Sequence, residues 1–76
     1  MDLDNFIKQI TEQFDNNGSQ FDAVSQFKES TEYSSLVALS IITMIDEEYG
    51  ITISGDDMKR VSTIGELYQL VISKQN

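Results

Sequence analysis

The chain has 76 residues, 13 acids against 5 bases, a net charge of −8, and neither cysteine nor histidine. That length supports one small domain near the lower limit for folding without staples, and the charge argues against nucleic acid or an anionic membrane surface as a partner. The missing cysteine and histidine remove disulfides, thiolate chemistry and the commonest general base and metal ligand, so no metal site is expected.

No apolar run is long enough to span a bilayer, and the start, MDLDNF, lacks the basic and apolar regions of a signal peptide. A soluble cytoplasmic chain without membrane insertion is the expectation. Leu3, Phe6, Ile7, Ile10 and Phe14 recur at helical spacing, which predicts an amphipathic helix over 3–14 with Asp2 or Asp4 at its positive end. The DNNGS run, Asp15 to Ser19, is the expected stop, with Gly18 as a left-handed cap. Its ligand spacing does not match a calcium loop. In residues 19–33, Phe21, Val24 and Phe27 either share a short helical turn or anchor a long polar loop to the core. A loop of that length in so small a domain is expected to carry function.

From Leu36 to Tyr49 there is no proline or glycine, and Gly50 follows, which predicts a second helix. Ser34 or Ser35 would cap its start. Asp46, Glu47 and Glu48 close it at the negative end of the helix dipole, at a cost of about 0.3–1 kcal/mol each at most. Leu39, Ile42 and Ile45 lie roughly along one line with Ile41 off it. Most of these are expected in the core, with Met44 and Met58 as easily repacked fillers. Ile51 to Ile53 form a connector, and Ser54 or Gly55 caps a short element with Asp56 and Asp57 at its start. Thr63 and Glu66 form a capping box for a last helix from Ile64 to Ser73. The fold class is therefore all-α: a small four-helix bundle of three main helices and one short one, with a long loop between the first and second, as a single domain over 1–76.

Catalysis finds little support. A nucleophilic serine needs an adjacent base, and no lysine is close in sequence to Ser34 or Ser35. Asp46, Glu47 and Glu48 are consecutive on a helix and point to different sides, so they cannot all converge on one substrate. What remains is a serine at a helix start, where unpaired N–H groups and a positive dipole would favour a phosphate. The bland alternative is that the serine is only a cap.

From Phe27 onward an ordered set of features runs without a gap: Phe27, Glu29, Ser35-Leu36, the acidic segment IDEEYGITI, the short element GDDMKRV and the helix STIGELYQLV. In this set the sequence resembles the acyl carrier proteins, and the first helix shares their apolar pattern. The resemblance implies that Ser35 carries 4′-phosphopantetheine derived from coenzyme A, whose thiol holds an acyl group as a thioester, with Ser34 the fallback position. It implies that Asp46, Glu47 and Glu48 form an acidic docking surface for basic patches on partner enzymes, joined by Leu36 and Leu39. The partners implied are a phosphopantetheinyl transferase and acyl-transferring or acyl-modifying enzymes of lipid or specialised-metabolite biosynthesis. The protein itself would be a carrier and not an enzyme.

The chain departs from the family pattern at several positions. Ser34 stands where aspartate is usual, Val37 and Ser40 where fatty-acid carriers often have acids, Thr43 where an apolar contact is common, Thr31 where a leucine often packs and Tyr33 where a small residue is common. These point to a specialised carrier in place of the housekeeping one. They also keep two alternatives open: an unmodified interaction module that docks a basic partner, and a carrier of aminoacyl groups. No heptad seam is sustained, so a monomer is the default.

Overall fold

The computed structural model describes residues 2–14 and 21–75, and these form four helices and one short turn of 3-10 helix. Helix α1 spans Leu3–Glu12, α2 Ser35–Tyr49, α3 Gly55–Arg60 and α4 Ile64–Ser73, with the 3-10 turn at Phe27–Glu29. The all-α four-helix bundle expected from the sequence is the architecture observed. None of these helices is long and apolar enough to cross a membrane.

Asp2 caps α1 by accepting from the Asp4 N–H, and Phe6 and Ile10 are its fully buried residues. The helix stops two residues short of the expected Phe14. Gln13 N–H and Phe14 N–H instead bond back three residues, to the carbonyls of Ile10 and Thr11, and this tightened turn still carries Phe14 into the core. The expected stop at Asp15 to Ser19 and the cap at Gly18 lie outside the described residues. Phe6 packs its ring against Tyr49 of α2 at 5.9 Å and Tyr68 of α4 at 5.4 Å, which seats α1 across both.

In the loop, Phe21 meets Phe14 edge-on at 5.0 Å, and Phe27 is fully buried with its ring edge-on to Tyr33 at 5.9 Å. Val24 does not join them: it is 77 % exposed. The anchoring there is done by backbone. The carbonyls of Ala23 and Ser25 accept from the N–H groups of Gly65 and Ile64 at 2.8 and 3.2 Å, which satisfies two orphan donors of α4. Glycine is required at 65, because a Cβ there would lie 2.9 Å from the Ala23 carbonyl oxygen.

Helix α2 buries Val37, Ile41, Met44 and Ile45 and leaves Leu39 exposed and Ile42 half-buried. Most of the four apolar residues are in the core as expected: Ile41 and Ile45 are fully buried and Ile42 packs against the core, while Leu39 stands in solvent. A helix apolar on nearly every side carries little directional signal, so its neighbours decide which stripe faces in. Gly50 ends it at φ 67°, donating to the Asp46 carbonyl at 2.9 Å.

Ser54 caps α3, and with Asp57 it forms a reciprocal capping box, both bonds at 3.0 Å. Thr63 and Glu66 do the same for α4, whose bounds are those expected. Met58 of α3 and Ile64, Leu67 and Val71 of α4 complete the core.

Candidate functional site

The two adjacent serines have different local roles. Ser34 is extended (φ −149°, ψ 173°), its hydroxyl accepts from the Val37 N–H at 3.3 Å, and its carbonyl accepts from the Ala38 N–H at 2.9 Å. It is the N-cap. Ser35 is the first helical residue, exposed, and among the described residues nothing bonds its hydroxyl. No acid stands in the first turn of α2, so the positive helix end beside Ser35 is not compensated by a side chain of its own helix. Leu36 beside it is 73 % exposed and Leu39 one turn on is 58 % exposed, an unusual pair of large apolar side chains in solvent.

Ser35 shares an open cleft of about 550 Å³ with Tyr33, Ala38, Leu39, Ile42 and Met58, and with two cations, Lys28 and Lys59. Lys28 is half-buried and its Nζ donates to the Met58 carbonyl at 2.7 Å. Burial raises the Tyr33 hydroxyl above its usual 10.0. No lysine is close in sequence to the serine, yet the fold brings two into its cleft. No spacing signal announces them, because Lys28 sits on the loop and Lys59 on α3.

On the other flank of α2 a second cleft, of about 600 Å³, lies against α1. Its walls include Leu39, Thr43 and Met44, and its carboxylates are Glu12, Glu47 and Glu48. Gln9 of α1 ties the two helices together there, donating to Glu48 Oε1 at 3.4 Å and accepting from the Tyr49 hydroxyl. Burial first, then the charge of Glu48, raise the Tyr49 hydroxyl above 10.0. Asp46, Glu47 and Glu48 are all exposed. As expected they do not converge as a trio, yet Glu47 and Glu48 share this cleft with Glu12, which the sequence had not singled out. At 1.5 Å per residue, these acids lie about 16–20 Å along α2 from Ser35.

A comparison with protein families matches residues 6–71 to the family described as a phosphopantetheine attachment site. The chain belongs to that family. No curated protein and no solved structure matches it. Members of the family carry covalently attached 4′-phosphopantetheine and are carriers, not catalysts. The start of α2 fits such a group. It offers an exposed serine whose hydroxyl bonds to nothing among the described residues, beside helix N–H groups and a dipole that favour a phosphate.

Proposed function

We propose that Ser35 is the attachment point and that the protein shuttles an acyl group between enzymes of lipid or specialised-metabolite biosynthesis in the cytoplasm. One observation carries this reading: Ser34 is occupied as the cap, which leaves Ser35 exposed with its Oγ unengaged among the described residues, in a chain of the matching family.

In the loading step Ser35 Oγ forms a bond to phosphorus as the pyrophosphate P–O bond of coenzyme A breaks. Adenosine 3′,5′-bisphosphate leaves, and the serine proton passes to a base of the phosphopantetheinyl transferase. Once bound, the group supplies a thiol that holds cargo as a thioester, chemistry the cysteine-free chain lacks. Leu36 and Leu39 offer partner enzymes exposed apolar contacts near the serine. Asp46, Glu47 and Glu48 steer basic patches toward α2, which accounts for their place at the unfavourable end of its dipole.

The test is an intact-mass spectrum after incubation with coenzyme A, Mg²⁺ and a broad-specificity transferase. Wild type and Ser34→Ala gain one phosphopantetheine and Ser35→Ala gains none. Unchanged loading of Ser35→Ala would overturn the assignment.

A second reading is favoured by Ser34 in the place usual for aspartate: an unmodified module that docks a basic partner through α2. It expects no mass gain from any transferase, and loss of partner binding when Asp46, Glu47 and Glu48 become lysine.

A further inference from the structure

We infer that the cleft beside Ser35 selects a cargo whose aliphatic chain carries an anionic group, bound by Lys28 and Lys59. This rests on the reading of Ser35 as the attachment point and adds the class of cargo.

The charge distribution carries the inference. The chain has 13 acids and 5 bases, yet two of those bases and no carboxylate line this cleft among the described residues. The Lys28 ammonium has three donors and gives one to the Met58 carbonyl, so two remain. Among the described residues the one ion pair joins Lys74 to Asp57, at 3.4 Å, so neither Lys28 nor Lys59 has a carboxylate partner. An incoming anion can take the two remaining donors of the half-buried Lys28 ammonium in a charge-assisted bond. The walls between the lysines and the serine are apolar, formed by Tyr33, Ala38, Ile42 and Met58, and suit methylene groups. The volume lies within the range of small-molecule sites, roughly 300–1,000 Å³. A neutral acyl chain would use the walls and leave the lysines unmatched. An aminoacyl cargo would bring its own ammonium against them, which the same two charges disfavour.

The test loads wild type with a straight six-carbon acyl group (hexanoyl) and with its ω-carboxy counterpart (adipyl), labelled with ¹³C at the free carboxyl. Intact mass confirms each loading, and the carboxyl is titrated by NMR at low salt. Because the protein is strongly acidic overall, its general field raises a bound carboxyl's pKa, so a lowered pKa must be local. The expected result is a pKa roughly one unit below that of free adipyl coenzyme A. The depression should shrink in Lys59→Gln, vanish in Lys28→Gln with Lys59→Gln, and survive in Lys28→Arg. Lys59 makes no hydrogen bond among the described residues, so its variant keeps the fold even if Lys28→Gln does not. Normal loading with a carboxyl that titrates at or above its free value would overturn the inference and leave the carrier reading intact. So would lysine variants that shift only the ³¹P signal, in both loaded forms, since the bound anion would then be the arm's own phosphate. Failure of both groups to load would overturn the inference together with the carrier reading, and failure of adipyl alone would overturn the inference only.

Discussion

The two clefts flanking α2 share Leu39 as a wall and are similar in size, yet they are opposites in charge. Among the described residues, the one against α1 is lined by Glu12, Glu47 and Glu48 without a cation, and the one against the loop and α3 by Lys28 and Lys59 without a carboxylate. Burial raises the hydroxyl of Tyr33, which lines the lysine cleft, and that of Tyr49, hydrogen-bonded to Gln9 beside the acid-lined one, and the charge of Glu48 raises Tyr49 further. A single helix thus separates an acid-lined face from a lysine-lined one, the division on which the proposed docking and cargo readings rest. Net charge conceals this division, because a chain at −8 reads as uniformly acidic.

The largest effect that would sharpen the contrast is at the serine itself. Ser35→Ala should lose loading entirely, with the helical circular dichroism of wild type, while still binding a partner enzyme through the acid-lined flank. Next in size is reversal of that flank. Glu12, Glu47 and Glu48 replaced together by lysine should weaken association with a partner enzyme by about tenfold or more, mostly in the on-rate and mostly at low salt. Adipyl loaded onto that variant should titrate with its pKa still depressed. If the reversal abolished the depression too, the two clefts would not be electrostatically separate.

A smaller effect concerns the wall that α3 provides. Asp57 accepts from the Ser54 backbone N–H and pairs with Lys74, and that backbone bond above all holds its carboxyl below the ordinary 3.8. The folded pKa is depressed, so the stabilisation is complete above the unfolded value and is lost as pH falls through 3.8 toward the folded one. Asp57→Ala should cost about 1–2 kcal/mol at neutral pH by denaturant unfolding, and less at the acid end of that window. The smallest effect is at the shared wall. Leu39→Ala should change stability by less than about 0.5 kcal/mol, because the side chain is mostly in solvent, while lowering turnover of the loaded protein by a partner enzyme.

What the sequence made legible was local chemistry. The Thr63–Glu66 box fixes α4 at the bounds read from it, and Gly50 stops α2 because a left-handed residue is needed there. Ser34 and Ser35 could not be told apart in the same way. Either serine suits a helix start, and only the extended backbone of Ser34 shows which one holds the cap. Which of Leu39, Ile41, Ile42 and Ile45 is left outside was not legible, because α2 is apolar almost all round, so packing and not periodicity chose the inner stripe. Val24 went astray because the loop is held by its carbonyls on α4. Glu12, Lys28 and Lys59 carried no signal at all, since their meaning arises only when elements distant in the chain close around α2.

The most direct test of the central claim is to digest the protein after transferase treatment and sequence the peptide spanning Tyr33 to Leu36 by tandem mass spectrometry. Fragmentation between the two serines assigns the added group to one of them. The cap geometry predicts phosphopantetheine on Ser35 and a bare Ser34. A group on Ser34, or an unmodified peptide from every transferase tried, would contradict it.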